Sequence, residues 1–246
     1  MLEHLKEEVY AANMMLKEHN LVILTWGNVS GIDINRELVV IKPSGVDYDI
    51  MKPDDMVVVN LNGKVVEGRL NPSSDTPTHV ELYKAFDEIG GVCHTHSTYA
   101  TAFAQYSNKM GMEGIDAYGT THVDYFDGAI PCTRPMKKKE ILNDYEKNTG
   151  LVIIETLKKM KISPLHMPAV LVNSHGPFTF GKNAKDSVIN SVVLENVADL
   201  AYKTRNLLAS SKLLSVTLAG VIQPELLRKH FDRKHGENAY YGQKEE

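Results

Sequence analysis

Apolar side chains recur every three or four residues near the amino terminus, a spacing typical of one buried face of a helix. This pattern predicts a helix over residues 2–19, with a stripe made of Leu2, Leu5, Val9, Ala12 and Leu16. Similar patterns predict further helices over 77–86, 99–106, 137–160, 183–208 and 224–235. Gly150 is a possible break within the third of these ranges, because glycine is a poor helix former.

Short apolar runs between the helices predict strands. They cover residues 39–42, 56–61, 64–67, 91–95, 129–132, 169–172 and 178–180. Asn62-Gly63 separates two of these runs and is a strong hairpin signal. A hairpin favours a mixed or mainly antiparallel sheet over a purely parallel one. The sequence therefore predicts an α/β fold. It contains no internal repeat, no linker and no glycine-rich nucleotide-binding loop, so we expect a single domain over residues 1–246.

Composition and charge exclude several classes of protein. The chain is 43% hydrophobic and 24% charged, with a net charge of −4, which is ordinary for a soluble globular protein and argues against a nucleic-acid binder. No apolar run is long enough to cross a bilayer, and the charged amino terminus is unlike a secretory signal. Two cysteines, Cys93 and Cys132, do not suggest a disulfide framework. We expect a cytoplasmic protein that does not bind membranes.

The segment Gly91-Val-Cys-His-Thr-His96 carries the strongest chemical signal. Side chains alternate along a strand, so His94 and His96 are expected on one face. Two neutral imidazoles side by side suit a divalent metal such as zinc. Asp75 and His175, each in a polar turn, are candidates to complete the site. The alternative is that the histidines are satisfied by backbone carbonyls at a strand end.

Polar turns supply candidates for anion binding. They are Thr25–Ser30, Lys42–Gly45 and Pro72–Ser74. Glycine lets backbone N–H groups approach an anion closely, hydroxyls donate hydrogen bonds and lysine adds a charge, so together these turns could hold a phosphate. Each turn taken alone is also explained as ordinary turn chemistry.

Two other polar segments have a possible acid–base role. Asp124 follows Gly119-Thr-Thr-His122, where a carboxylate could transfer protons, although it could equally bond nearby backbone N–H groups in a turn. Tyr241 follows the last predicted helix. A tyrosine there could donate a proton or simply dock the tail by hydrophobic contact.

The motifs taken together resemble the class II sugar-phosphate aldolase/epimerase family. They occur in the order Trp26–Ser30, Lys42–Gly45, Ser73–His79, His94–Ser97, Gly119–His122, Ser174–Phe178 and Ala239–Gln243. The resemblance extends from about Leu2 to Gln243, and only residues 106–116 and 208–224 fit less well. It implies a three-layer α/β/α domain around a largely antiparallel central sheet. It also implies a cyclic homotetramer with active sites between neighbouring subunits.

Site residues follow from the same resemblance. His94, His96 and His175 become metal ligands, with Asp75 a fourth ligand or close neighbour, for Zn²⁺ or another divalent metal such as Mn²⁺ or Co²⁺. The phosphate and substrate site comprises Asn28, Lys42, Ser44, Gly45, Ser73 and Ser74. Asp124 and Tyr241 become the acid–base pair, Tyr241 reaching across from the next subunit. The supporting residues are Thr120, Glu146 and His230.

The activity implied is the interconversion of L-ribulose 5-phosphate and D-xylulose 5-phosphate. Carbon 4 of the sugar has no acidic proton, so its inversion requires retro-aldol cleavage of the C3–C4 bond and re-addition. The metal acts as a Lewis acid and two acid–base groups serve opposite faces. The pathway, arabinose or ascorbate breakdown, stays open.

Other functions compete with this interpretation. One is an aldolase of the same family that releases the aldehyde, for example by splitting L-fuculose 1-phosphate; Asp124 and the tail Tyr240–Gln243 favour the epimerase. A second is a non-enzymatic protein that binds metal or sugar phosphate. A third is a structural zinc site, which would usually have four protein ligands with cysteine among them.

Overall fold

The structure, a computed structural model, describes residues 2–106, 114–210, 221–237 and 239. Its strands are β1 Asn28–Ile32, β2 Leu38–Ile41, β3 Val57–Asn60, β4 Val65–Glu67, β5 Gly91–His94, β6 Ala169–Val172 and β7 Gly176–Gly181. Its α-helices are α1 Glu3–Glu18, α2 Thr76–Ala85, α3 Thr98–Tyr106, α4 Thr120–Val123, α5 Lys138–Leu142, α6 Tyr145–Met160, α7 Ala184–Ser210 and α8 Pro224–His235. None of the helices in these ranges is both long and apolar enough to span a membrane.

The strands form one sheet in the order β4-β3-β2-β1-β5-β7-β6. Every pair of neighbouring strands is antiparallel. The predicted hairpin is the β3–β4 pair, and Gly63 between these strands adopts a positive φ of 76°, which glycine tolerates well. The prediction of a largely antiparallel central sheet is therefore confirmed.

Helices cover both faces of the sheet. On one face, α1 and the first turns of α7 pack against a cluster that includes Val29, Val40 and Cys93. On the other, α2 and α6 pack against a larger cluster that includes Val92 and Phe180. The alternation of neighbours such as Val92 and Cys93 between the two clusters follows from the two-residue period of a strand. The central strands β1 and β5 are buried throughout, so they hold the polar residues at their ends in fixed positions.

Two predicted elements are corrected by the structure. Residues 129–132 are not a strand and form only isolated bridges, from Ile130 to Ile115 and from Cys132 to Leu171, because Pro131 lacks the N–H that a regular ladder needs. The predicted helix over 137–160 is divided between Leu142 and Tyr145, not at Gly150. Gly150 lies inside α6, where a side chain would come within 3.0 Å of the Thr78 carbonyl oxygen on α2. Its role is to allow close helix packing.

Candidate active site

Three histidines converge at one end of the central strands. His94 is the last residue of β5, His96 lies in the turn that follows, and His175 lies in the turn between β6 and β7. One ring nitrogen from each lies within 4.8 Å of the other two. The Nε2 atoms of His94 and His96 are 3.1 Å apart. Two imidazoles that bind one tetrahedral Zn²⁺ have nitrogen atoms about 3.3 Å apart, so this spacing fits a shared ion.

The route by which the imidazoles meet differs from the sequence argument. Strand alternation would place both histidines on the same face of one strand, but β5 ends at His94. His96 therefore reaches His94 through the turn, not through strand alternation. Gly176 lies against this turn, where a Cβ atom would be 2.8 Å from the Thr95 carbonyl oxygen and 3.4 Å from the His96 ring. A glycine here lets β7 approach the histidines closely.

Hydrogen bonds orient two of the rings. Nδ1 of His94 lies 2.9 Å from the carbonyl oxygen of Pro177 and donates to it, which leaves Nε2 as the nitrogen that can face a metal. Nδ1 of His175 lies 3.3 Å from the hydroxyl of Tyr145. His94 is also stacked on Phe178, with ring centroids 4.2 Å apart. The carbonyl bond that the sequence argument offered as an alternative to metal binding is present, but it uses only one of the two nitrogens.

Burial favours the neutral form of two of the imidazoles, those of His96 and His175. Burial, together with the nearby His94 and His96, lowers the pKa of His175 to about 3. Burial, again reinforced by His94, lowers the pKa of His96. Neutral imidazole is the form that binds metals. Three converging imidazoles with no cysteine among them fit a divalent metal such as zinc.

Asp75 lies beside the histidines at the amino-terminal end of α2. Its Oδ2 accepts a hydrogen bond of 2.7 Å from Nδ2 of Asn28. Burial alone would raise the pKa of Asp75, but the nearby His94 and His79 and the bond from Asn28 outweigh it and lower the pKa. Asp75 is an ionised neighbour of the histidines, although it is outside the group of ligand atoms that lie within 4.8 Å of one another.

A cavity of about 520 Å³ opens over the histidines. All the residues predicted for phosphate and substrate binding line it, namely Asn28, Lys42, Ser44, Gly45, Ser73 and Ser74. So do Asp75, the three histidines and Glu146. Asn28 was predicted in a loop but is the first residue of β1, paired with His94, which explains how it reaches the site. Its Oδ1 is buried without a hydrogen-bond partner in the described part of the chain.

Lys42 is the cationic group of this cavity. Its side chain is almost completely buried, and Nζ donates to the carbonyl oxygens of Val46 at 2.9 Å, Pro43 at 3.3 Å and Thr25 at 3.4 Å. Nζ also lies 4.8 Å from the ring centre of Tyr48. Burial lowers the pKa of Lys42 to about 8, an effect that Asp47 partly opposes.

Asp124 belongs to a different cluster. Arg233 on α8 donates to both its carboxylate oxygens, at 2.9 and 2.7 Å, and Nδ1 of His230 lies 3.1 Å from Oδ1. Burial would raise the pKa of Asp124, but the bonds from Arg233 and His230 lower it. Thr120 begins the short helix α4 that Asp124 follows. Asp124, Thr120 and His230 are not among the residues that line the histidine cavity of this chain, and Tyr241 lies outside the described residues.

Two aromatic residues, Trp26 and Tyr145, also line the cavity, and neither had an individual role in the sequence-based prediction. Trp26 is 52% exposed, and its ring centre lies 6.3 Å from that of His96. Tyr145 contacts His175 and is the first residue of α6. Tyr145 directly precedes Glu146, which was predicted, so adjacency along the chain was the available signal. Nothing in its own residue pattern distinguished Tyr145 from an ordinary helix residue.

Similarity to known proteins identifies the family of the chain. Residues 7–202 match the family described as Class II Aldolase and Adducin N-terminal domain. The chain is 54% identical over 243 residues to "L-ribulose-5-phosphate 4-epimerase UlaF" of Salmonella paratyphi B, covering 99% of this chain and 100% of that protein. The protein of the same name from Salmonella typhi is also 54% identical, with the same coverage.

Solved structures show the same fold at lower identity. A structure titled L-fuculose 1-phosphate aldolase has a TM-score of 0.74 at 24% identity, covering 94% of this chain and 95% of that one. YgbL of Klebsiella pneumoniae, described as a putative aldolase/epimerase/decarboxylase, has a TM-score of 0.69 at 19% identity, covering 93% and 99%. The chain belongs to the class II aldolase family, in agreement with the resemblance of its motifs.

Proposed function

We propose that this enzyme interconverts L-ribulose 5-phosphate and D-xylulose 5-phosphate by epimerisation at C4. One observation carries the proposal: the same cavity is lined by the three converging imidazoles and by a lysine and serines that could bind a phosphate. The relatives named L-ribulose-5-phosphate 4-epimerase, which match over their whole length, supply the substrate and the reaction. Such a cavity suits a ketose whose oxygens face a metal and whose phosphate lies several ångströms away.

The proposed metal site consists of His94, His96 and His175, with Asp75 as a fourth ligand or close neighbour, and Zn²⁺ is the metal we favour over Mn²⁺ or Co²⁺. A divalent metal held there supplies Lewis-acid stabilisation of the negative charge that develops when the C3–C4 bond breaks. Asp75 keeps its negative charge and thereby balances the positive charge of the ion. Asn28 holds Asp75 in place and offers its buried Oδ1 to a substrate hydroxyl.

Binding of the 5-phosphate would keep the aldehyde product in the site, so that the cleaved C3–C4 bond can re-form. Lys42, Ser44, Gly45, Ser73 and Ser74 are proposed to bind the 5-phosphate. When the C3–C4 bond breaks, the aldehyde fragment carries that phosphate, so the pocket retains it. The fragment rotates its carbonyl, the C3–C4 bond re-forms on the opposite face, and C4 is inverted.

Acid–base groups complete the cycle. The C4 hydroxyl must lose a proton before cleavage, and the new C4 oxygen must gain one after re-addition, from the opposite side. We propose Asp124 and Tyr241 for these two transfers, with Thr120, Glu146 and His230 in support. The lowered pKa of Asp124 supports an ionised carboxylate at neutral pH. The proposal includes a cyclic homotetramer with shared active sites, a cytoplasmic location and a role in arabinose or ascorbate breakdown.

A coupled assay of D-xylulose 5-phosphate formation from L-ribulose 5-phosphate tests the activity, and exhaustive chelation tests the metal. We expect epimerisation that chelation abolishes and added Zn²⁺, Mn²⁺ or Co²⁺ restores. His96→Asn should lose both bound metal and turnover, because it removes one imidazole of the cluster. His4→Asn is the matched control, since the His4 side chain is 86% exposed on α1.

Two results would contradict the proposal. Full activity after exhaustive chelation would exclude the Lewis-acid mechanism. Release of glycolaldehyde phosphate without formation of D-xylulose 5-phosphate would instead identify an aldolase.

A further inference from the structure

Tyr145 lines the cavity, and its side chain contacts a ring nitrogen of one of the three clustered imidazoles. Its hydroxyl lies 3.3 Å from Nδ1 of His175, and the two ring centres are 6.1 Å apart. The corresponding nitrogen of His94 is bonded to a backbone carbonyl, that of Pro177. The backbone therefore orients His94, whereas His175 is held by a side-chain hydroxyl that a mutation can remove.

We propose that Tyr145 is a positioning residue that fixes the ring orientation of His175 for metal binding. This inference rests on the proposed function, in which His175 is a ligand. A neutral imidazole has one N–H and one lone pair. When Nδ1–H of His175 donates to the Tyr145 oxygen, the lone pair is on Nε2, the nitrogen that remains for the ion. Partners of this kind orient metal ligands and raise their basicity.

Local structure holds Tyr145 where this contact requires it. Asp144 immediately before it adopts a positive φ of 51°, which turns the chain sharply into α6. Asn148 secures that turn by donating from Nδ2 to the carbonyl oxygens of Asn143 and Glu140. A non-glycine residue in the left-handed region is uncommon and usually requires such support.

The start of α6 is also tied to the helix that carries Asp75. The hydroxyl of Thr78 on α2 donates to the carbonyl oxygen of Glu146, and Gly150 lets the two helices approach closely. Tyr145 and Asp75 therefore belong to one packed helix pair, while His175 comes from the β6–β7 turn. The Tyr145–His175 contact joins these two parts of the site.

Tyr145→Phe removes the hydroxyl and keeps the ring, and Tyr10→Phe on α1 is the matched control. The main measurement is metal affinity of the apo protein by competition with a chromophoric chelator, which needs no turnover. We expect Tyr145→Phe to weaken Zn²⁺ binding by about 10- to 100-fold. Its apo melting temperature should stay unchanged. The visible spectrum of its Co²⁺ form should shift, because the His175 ring is less constrained.

Several outcomes would overturn the inference. Unchanged metal affinity with a raised KM would mean that Tyr145 contacts the substrate directly. Weaker binding with a lowered apo melting temperature would mean that it acts through packing. His175→Ala, measured in parallel, separates this inference from the proposed function. If His175→Ala loses metal and Tyr145→Phe does not, only the role of Tyr145 fails; if His175→Ala binds metal normally, the ligand assignment itself fails.

Discussion

Lys42, which we propose binds the substrate phosphate, shows how the surroundings of a residue alter its pKa. Its three acceptors are backbone carbonyl oxygens, which carry partial charges only. A buried ammonium group in such a setting is poorly compensated, and this is why its pKa falls to about 8. A phosphate in the cavity would supply the missing full negative charge. The sequence identified Lys42 through the turn that follows it, but its burial and its carbonyl partners required the fold.

Lys42→Met should therefore weaken the use of phosphorylated substrate. A hydrogen bond to a charged group contributes roughly 1.5–3 kcal/mol, so kcat/KM should fall about 10- to 100-fold, mainly through KM. The lysine is charged below its pKa, so in the wild type kcat/KM should also fall as the pH rises through about 8. Steady-state assays across that pH range check both effects. Lys17→Met is the control, and equal turnover of unphosphorylated L-ribulose would argue against this role of Lys42.

Elements whose chemistry is local were predictable from the sequence. The hairpin at Gly63 follows from the turn preferences of the residues themselves. The last helix ends at His235, as the sequence predicts, although Gly236 has an extended backbone and not the left-handed conformation of a glycine cap. The position of Gly150 inside a helix was not predictable in this way, because its reason is contact with Thr78 on another helix. Tyr145 was missed for the same cause, since its contact with His175 joins segments 30 residues apart.

The close contact between β7 and the turn that follows β5, which contains His96, can be tested at Gly176. In Gly176→Ala the new methyl group would lie 2.8 Å from the Thr95 carbonyl oxygen, closer than real Cβ atoms approach, so β7 or the turn must move. Overpacking of this kind typically costs about 1–3 kcal/mol. We expect a lower free energy of unfolding in urea and weaker metal binding. Wild-type values for both would show that the turn adapts without displacing His94 and His96.

At the scale of the whole molecule, buried histidines link stability to pH. Burial lowers the pKa of His79 to about 3 and that of His122 to about 4, below the ordinary value of 6.5. The unfolded chain therefore binds protons that the folded chain excludes, and the folded state loses stability as the pH falls from about 6.5 towards 4. Both residues are nearly inaccessible to solvent, so screening does not reduce the effect.

His122→Gln should reduce this acid sensitivity, because it removes one of the excluded protons. The free energy of unfolding in urea should drop less between pH 7 and pH 5 in this variant than in the wild type. The stability at pH 7 itself is expected to fall, since His122 Nε2 bonds the Gly128 carbonyl oxygen at 2.8 Å. His4→Gln, on the exposed face of α1, should leave the pH dependence as it is. An identical pH dependence in His122→Gln and wild type would assign the acid sensitivity to other groups.

The position of Asp124 bears on how the subunits of the proposed tetramer share their active sites. Asp124 is bonded to α8 of its own chain and does not line that chain's histidine cavity. If Asp124 is catalytic, it therefore serves the cavity of a neighbouring subunit, as the resemblance implies for Tyr241. Chains with His96→Asn and chains with Asp124→Asn, each inactive alone, should then regain activity when they assemble together. In a ring of randomly mixed subunits, roughly a quarter of the sites would combine an intact histidine cluster with an intact Asp124. Mixed tetramers, verified by native mass spectrometry, should show about that fraction of wild-type activity. No recovery in such tetramers would mean that each site takes Asp124 from the same chain as its histidines.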